Sequence, residues 1–217
     1  CGTGFSVQKH HIAKLPNLIK EKTGQKKYVI KDSIEGWSDA VGILVSSYFK
    51  GCNLFPEYSG KNIVFDYSEI RPAGSYLKSS GGKAPGPDPL RNALTHIKKT
   101  LDGAIKNGQR KIKPIQAYDI VMYGADAVIS GGVRRSATIC VFSADDEEMA
   151  KAKTGNWFIE NPQRGRSNNS ALLLRNETTK EQFAELMESV KEFGEPGFVW
   201  SDSTELIVNP CVEIGMW

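Results

Sequence analysis

The 217-residue sequence has no long hydrophobic run, no basic block and no cysteine framework. No stretch approaches the roughly 20 apolar residues that a membrane-spanning helix needs, and no signal-peptide pattern opens the chain. The net charge is only +3, and Lys and Arg are spread along the chain. We therefore expect a cytoplasmic protein that binds neither a membrane nor a nucleic acid.

Cysteine is scarce, and its spacing excludes two familiar uses. The four cysteines stand at positions 1, 52, 140 and 211, without a CxxC pair and without a nearby His cluster. This spacing argues against a disulfide scaffold and against a zinc site, so we expect a reducing compartment and no metal site in this chain. The sequence begins with Cys rather than Met, and we expect it to be a piece of a longer protein.

Helical and strand patterns alternate along the chain. A capping pattern at Asp32 and Glu35 predicts the start of one helix. Helical periodicity predicts three more helices, over 90–106, from 114 to the Gly pair at 131–132, and over 178–194. Apolar runs predict strands at the opening GTGFSV and over 62–70, 137–143, 170–176, 197–202 and 205–209. This alternation favours a parallel α/β sheet, open or closed into a barrel, with its site at the carboxyl ends of the strands. We expect the loops after Ile70, Ile129 and Val208 to carry it.

The segment NPCVE places three chemically useful side chains at alternate positions. If the segment is extended, Asn209, Cys211 and Glu213 project to one side, as an amide, a thiol and a carboxylate around one substrate. A plainer alternative is a small buried Cys beside an exposed Glu. Pro210 disfavours a regular strand, so a tight loop is plausible too.

Two Gly-rich segments carry basic residues. In SGGVRRSA, Arg134 and Arg135 could fork onto phosphates or a base edge, or could be solvated in an ordinary turn. In RPAGSYLKSSGG, Arg71 and Lys78 form an unspecific candidate anion site. The GTG of Gly2 and Gly4 is an incomplete dinucleotide fingerprint.

The paired Asn168 and Asn169 precede an apolar run. Short polar side chains of this kind are typical of turns, so a capping or turn role is expected for them.

Taken in order, CGTGFSV, DSIEGW, FDYSEIRPAG, SGGVRRSA, SNNSA, GEPGF and NPCVEI resemble the large catalytic subunit of ribonucleotide reductases, most closely the adenosylcobalamin-dependent (class II) type. The resemblance covers essentially the whole chain. It implies an α/β fold that is part of a ten-stranded barrel, with the reactive Cys on an inner loop. Residues 1–217 would then be a single fragment of the catalytic barrel domain, incomplete at both ends.

The resemblance also assigns chemistry to the NPCVE segment. Cys211 matches the Cys that becomes a thiyl radical and takes the hydrogen atom from C3′ of the ribose. Glu213 matches the general base for the 3′-hydroxyl proton, and Asn209 matches the amide that hydrogen-bonds the substrate. The family commonly has Gly where Val212 stands, so this loop is expected to be stiffer.

Other roles follow from the same resemblance. Gly2 and Gly4 match the strand entry that lets the ribose approach the backbone, and Arg134 and Arg135 match a loop that couples effector identity to the substrate base. The effector positions are matched by four residues: Asp32 and Ser33 at the sugar of a regulatory nucleotide, and Arg71 and Lys78 near its phosphates.

The implied cofactor is adenosylcobalamin, whose cobalt belongs to the cofactor and not to a protein metal site. The implied partners are a ribonucleoside di- or triphosphate, deoxynucleotide or ATP effectors, and a thioredoxin-like or dithiol reductant, in a monomer or homodimer. The family's second Cys pair has no match at Cys52 or Cys140, so this piece alone is expected to be inactive.

Two alternatives stay open at this point. One is an oxygen-dependent large subunit that receives its radical from a separate small subunit. The other is a nucleotide-binding regulatory module without catalysis, in which Cys211 is structural.

Overall fold

The computed structural model describes residues 2–76, 82–128 and 137–216. The described residues form two compact units. The first unit draws on residues 2–14, 113–122 and 137–216, and the second on residues 15–76, 82–112 and 123–128.

Most of the longer helices and strands lie close to the predicted positions. The strands are β1 Thr3–Ser6, β2 Gln25–Val29, β3 Asn62–Asp66, β4 Thr138–Ser143, β5 Ser167–Leu174, β6 Gly197–Ser201, β7 Ile207–Val208 and β8 Gly215–Met216. The α-helices are α1 Lys9–Lys14, α2 Ile34–Ser46, α3 Asp88–Lys106, α4 Pro114–Ala127, α5 Glu147–Ala150, α6 Trp157–Glu160 and α7 Lys180–Phe193. Two short 3₁₀ helices cover Pro56–Tyr58 and Pro162–Arg166.

The first unit is built on a parallel sheet of order β1-β4-β5-β6. Its central strand β4 is almost fully buried, with Ile139 through Phe142 at most 1% exposed. A strand covered on both faces reads as a continuous apolar run, which is how TICVFS reads in the sequence. The prediction of an α/β fold with a parallel sheet is confirmed.

Local sequence signals explain where α7 begins and ends. The hydroxyl of Thr179 accepts a hydrogen bond from the backbone N–H of Gln182, and the Gln182 side chain accepts one in return from the backbone N–H of Thr179. The helix ends at Gly194, which takes the left-handed conformation that glycine adopts without steric cost. Both ends agree with the predicted range.

The second unit pairs β2 with β3 in parallel and packs α2 against α3. The apolar stripe of α3 is buried as predicted, at positions Leu90, Leu94, Ile97 and Leu101. The strand β2 was missed, because QKKYV reads as a solvated basic connection although it pairs fully with β3.

Two local predictions were wrong. Ser33, not Asp32, caps α2, because its hydroxyl accepts the N–H of Gly36, and Gly36 rather than Glu35 occupies the position that a capping box would need. Asn168 and Asn169 lie inside β5 rather than in a turn before it. Their pairing with Ile139 and Cys140 of β4 overrides the turn preference of the isolated sequence.

None of the helices in the described ranges combines the length and the apolar character that a membrane crossing requires.

Candidate functional site: the Cys211 hairpin

Asn209, Cys211 and Glu213 all lie in the connection between the antiparallel strands β7 and β8. The backbone N–H of Asn209 donates to the carbonyl of Ile214 over 3.1 Å, and the N–H of Val212 donates to the carbonyl of Asn209 over 2.8 Å. The segment is therefore a tight turn, which was the second of the two conformations that Pro210 left open.

Val212 takes a conformation that its side chain disfavours. Its φ is +64°, and it is the one non-glycine residue in the described ranges with a positive φ. A β-branched side chain in this region clashes with its own backbone, at a cost of roughly 1–2 kcal/mol. Glycine would adopt this conformation without that cost.

Asn209 combines a fixed carbonyl with an unused amide. Its Oδ1 accepts the N–H of Ile214 over 2.9 Å, which fixes the side chain across the hairpin. The residue is 5% exposed, and its Nδ2 has no hydrogen-bond partner within the described part of the chain. A buried donor without a partner costs about 1–3 kcal/mol, so a ligand oxygen placed against Nδ2 would recover that energy.

Asn168 holds the backbone of the same turn. Its Nδ2 donates to the carbonyl oxygen of Pro210 over 3.0 Å, directly before Cys211. Asn168 is the second residue of β5, so the bond ties the turn to the central sheet.

The amino end of β5 is itself firmly held. The ammonium of Lys153, which is 6% exposed, donates to the carbonyl of Ser167 over 2.5 Å and to Glu195 over 2.8 Å. The hydroxyl of Tyr118 lies 3.0 Å from the hydroxyl of Ser167, and burial raises the pKa of Tyr118 above its ordinary value. Asn168 therefore projects from a segment with little freedom to move.

Gly2 and Gly4 allow β7 and its turn to approach β1. A Cβ atom on Gly4 would lie 1.9 Å from the carbonyl oxygen of Val208, and one on Gly2 would lie 2.4 Å from Cγ of Pro210. Both distances are shorter than any packing permits. The structure thus places the chain's own backbone against these glycines.

The contacts of Pro210 locate the turn at the amino ends of the sheet strands. Gly2 precedes β1, and Asn168 is the second residue of β5. Strand β7 passes β1 in the opposite direction, with Val208 beside Gly4 and Pro210 beside Gly2. We expected a loop at the carboxyl ends of the parallel strands. That expectation was wrong for this loop, because β7 pairs with β8 and not with the parallel sheet.

The three described cysteines differ in access. Cys211 is exposed, Cys52 is half-buried, and Cys140 is buried in β4. Burial raises the pKa of Cys140 well above that of a free thiol. For Cys52, burial raises the pKa, but hydrogen bonds from Ser46 and from two backbone N–H groups outweigh it, and its pKa is lowered. The plainer reading of Cys211 as a small buried residue is wrong in this structure.

Two of the predicted effector residues are in direct contact. The guanidinium Nε of Arg71 donates to a carboxylate oxygen of Asp32. Ser33 uses its hydroxyl to cap α2. Lys78, Arg134 and Arg135 lie outside the described residues.

A further polar cluster was missed by the sequence reasoning. His10 and His11 of α1 both face Glu205, which lies just before β7. The adjacent histidines were a visible signal, but their carboxylate partner is 195 and 194 residues away in the sequence.

The fold and the site together define an α/β protein whose hairpin carries an exposed thiol and a buried amide nitrogen that has no hydrogen-bond partner among the described residues. A family model described as the insertion domain of B12-dependent ribonucleotide reductase matches residues 7–101. Known proteins and a solved structure extend this match over most of the chain.

The chain is 32% identical over 209 residues to the adenosylcobalamin-dependent ribonucleoside-triphosphate reductase of Euglena gracilis, covering 86% of this chain and 26% of that protein. It is 33% identical over 228 residues to the protein of the same description from Lactobacillus delbrueckii subsp. bulgaricus, covering 91% of this chain and 30% of that protein.

A crystal structure of a B12-dependent (class II) ribonucleotide reductase superimposes with a TM-score of 0.77 and 25% identity, over 94% of this chain and 31% of that one. The chain thus spans between a quarter and a third of the length of these relatives. It belongs, as a partial chain, to the adenosylcobalamin-dependent ribonucleotide reductase family.

Proposed function

We propose that the whole protein reduces ribonucleotides to 2′-deoxyribonucleotides by radical chemistry at Cys211, and that this chain is part of its catalytic barrel domain. The observation that carries the proposal is the buried, unpaired Nδ2 of Asn209, on the same turn as the exposed thiol. The descriptions of the relatives support ribonucleoside triphosphates as substrates.

The exposure of each cysteine bears on whether it could react with adenosylcobalamin. A thiol that exchanges a hydrogen atom with so large a cofactor must be reachable, which Cys211 is and Cys140 is not. When bound, adenosylcobalamin would supply radical chemistry, and Cys211 would give up its thiol hydrogen atom to become the thiyl radical.

Three residues of the turn carry out the steps on the substrate. The Cys211 sulfur takes the hydrogen atom from C3′ of the ribose, and Glu213 accepts the proton of the 3′-hydroxyl. Asn209 donates its unpaired Nδ2–H to a substrate oxygen, which orients the sugar without a further charge. The turn can do this only if its backbone is fixed, and Asn168 supplies that restraint through Pro210.

Electrons and atoms balance through a dithiol. The 2′-hydroxyl leaves as water, a dithiol supplies two electrons and two hydrogens and becomes a disulfide, and the C3′ hydrogen returns from Cys211. Neither Cys52 in the second unit nor the buried Cys140 is an exposed partner for such a pair. We therefore place the reducing pair elsewhere in the whole protein, with a thioredoxin-like or dithiol reductant beyond it.

Effector control belongs to the same proposal. We place a deoxynucleotide or ATP near Asp32 and Ser33, with Arg71 and Lys78 toward its phosphates and Arg134 and Arg135 as the link to the substrate base. The ion pair of Asp32 with Arg71 would have to open or share Arg71 with a phosphate. Coupling of this kind is reciprocal, so effector and substrate must raise each other's affinity by the same factor.

The test uses the full-length protein under anaerobic conditions, with a ribonucleoside triphosphate, a dithiol and an effector, with and without adenosylcobalamin. We expect deoxynucleotide only when the cofactor is present. Cys211→Ser should abolish product, and Cys52→Ser, the matched control in the second unit, should leave product formation unchanged.

Each result decides between the functions. Product formed by Cys211→Ser would contradict the role of the thiol. Activity that requires a separate metal-loaded subunit instead of the cofactor would favour the oxygen-dependent alternative, and nucleotide binding without any turnover would favour the regulatory module. We place the enzyme in the cytoplasm, as a monomer or homodimer.

A further inference from the structure

We propose that His10, His11 and Glu205 form a binding site for a divalent transition-metal ion such as Zn²⁺. The Nε2 of His10 lies 3.1 Å from Glu205 Oε1, and the Nε2 of His11 lies 3.1 Å from Glu205 Oε2. One ligand atom of each residue lies within 4.8 Å of those of the other two.

The distances and the donor types suit such an ion. Zn²⁺ binds imidazole nitrogens and carboxylate oxygens at about 2.0–2.2 Å, and two ligands of a tetrahedral ion are then roughly 3.3 Å apart. The observed nitrogen-to-oxygen distances are already close to this ligand-to-ligand distance. A small rotation of the imidazole rings would therefore admit the ion. Two imidazoles and one carboxylate also form a ligand set that catalytic zinc sites use, with water in the fourth position.

A second layer of hydrogen bonds holds His11 and the backbone next to Glu205. His11 Nδ1 lies 2.7 Å from the hydroxyl of Ser6, which orients its Nε2 toward Glu205. The buried side chain of Gln8 donates to Ser6 over 3.2 Å and to the carbonyl of Thr204 over 2.7 Å. Metal-binding histidines are commonly fixed through their second nitrogen in this manner.

The position of the cluster gives the ion a structural task. His10 and His11 belong to α1, whereas Glu205 lies two residues before β7. An ion bound by all three would join the helix after β1 to the segment that leads into the Cys211 hairpin. Because the three side chains are partly exposed, water can reach the remaining coordination position.

The test is calorimetric titration of ZnCl₂ into the full-length protein in a buffer free of chelators, compared with variants. We expect the unaltered protein to bind Zn²⁺. Loss of an outer-shell partner lowers metal affinity by roughly 10–100-fold, and the ligand variants His10→Ala, His11→Ala and Glu205→Gln should each lower it by more than that. Ser6→Ala should weaken it by roughly tenfold. His96→Ala is the matched control, because His96 stacks on Tyr123 in the second unit, and it should bind Zn²⁺ as the unaltered protein does.

The absorption spectrum of bound Co²⁺ distinguishes this site from a site in which cysteines hold the metal. Co²⁺ held by thiolates gives an intense near-ultraviolet charge-transfer band, whereas two imidazoles and a carboxylate give only weak visible bands. Weak bands that disappear in the His10→Ala/His11→Ala protein would support the site. No Zn²⁺ binding by the unaltered protein, or equal binding by all folded variants, would overturn it. Circular dichroism establishes folding, and Glu205→Gln decides the outcome if a histidine variant unfolds.

Discussion

The side-chain amide of Asn168 donates a hydrogen bond to the carbonyl oxygen of Pro210, the residue before Cys211. The bond links the second residue of a central strand to the tightest part of the turn. It gives the paired asparagines of the SNNSA motif a physical role: one of them positions the turn that carries the thiol.

Asn168→Ala should lower kcat by roughly tenfold, because displacement of a reacting group by about 1 Å can cost a hundredfold and one lost restraint moves the turn less. The bond is exposed, so unfolding should become easier by less than about 1 kcal/mol. Steady-state kinetics and thermal unfolding of the full-length protein measure the two effects.

Asn168→Asp serves as the matched control for that prediction. It keeps the size of the side chain but faces the Pro210 carbonyl with a carboxylate oxygen, so it should impair turnover at least as much as the alanine variant. Unchanged kcat in both variants would show that the turn holds its position without Asn168.

Gly4→Ala should destabilise the protein by about 3 kcal/mol or more, because its Cβ would fall 1.9 Å from a backbone oxygen that cannot rotate away. Gly103→Ala is the control. Gly103 lies in α3 with nothing within 4 Å of its added Cβ, so alanine should stabilise that helix by about 0.5–1 kcal/mol. Thermal unfolding of both variants would show shifts of opposite sign, and a neutral Gly4→Ala would contradict the close approach of β7.

Val212→Gly should stabilise the turn by about 1 kcal/mol, since glycine removes the strain of a positive φ while adding some entropy to the unfolded chain. Val212→Ala retains a Cβ and should gain much less. Hydrogen exchange at the Val212 and Ile214 amides reports the local opening. Faster exchange in the glycine variant than in the alanine variant would refute the strain.

The lowered pKa of Lys22 predicts that the free energy of unfolding depends on pH. Burial lowers its pKa to about 8, outweighing the nearby carboxylate of Asp102. Between about pH 8 and pH 10 the folded protein releases this proton while the unfolded chain keeps it. Lys22 should therefore make the unfolding free energy rise with pH over this window, whereas Cys140, whose folded-state pKa is well above that of a free thiol, acts in the opposite direction.

Lys22→Met is the comparison that isolates this effect. Below pH 8 both states carry the proton and the folded state bears the burial cost, so the variant should be relatively more stable there. Above pH 10 the raised pKa of Tyr48 acts in the opposite direction, which limits the window. Equal pH profiles for the two proteins would contradict the lowered pKa of Lys22.

Strong local signals were enough to predict much of the fold. The stripe of α3, the extent of α7 and the apolar run of β4 each depend on near neighbours in the sequence, and all three are found as predicted. The strand β2 depends instead on pairing with β3, which its polar composition does not reveal.

In the candidate site, too, near neighbours in the sequence predict some features, whereas others depend on the assembled fold. Spacing placed Asn209, Cys211 and Glu213 together, because they share one short segment. The bond from Asn168 to Pro210 crosses 42 residues, and the contact of His10 with Glu205 crosses 195. No periodicity encodes such contacts, since they exist only after the sheet has assembled.

The pairing of β1 with β4 and the passage of β7 beside β1 have a consequence for how the chain folds. Thr3 pairs with Thr138, and Gly4 meets Val208, so each contact closes a very long loop. Contacts of this range form late and slowly, because the entropy of closing the loop must be lost before they contribute any energy. During synthesis the opening strand must wait for nearly the whole of this chain to emerge before the Cys211 turn can take its place. The Cys211 thiol therefore takes its final position only at the end of folding, when the segments that restrain its turn are already in place.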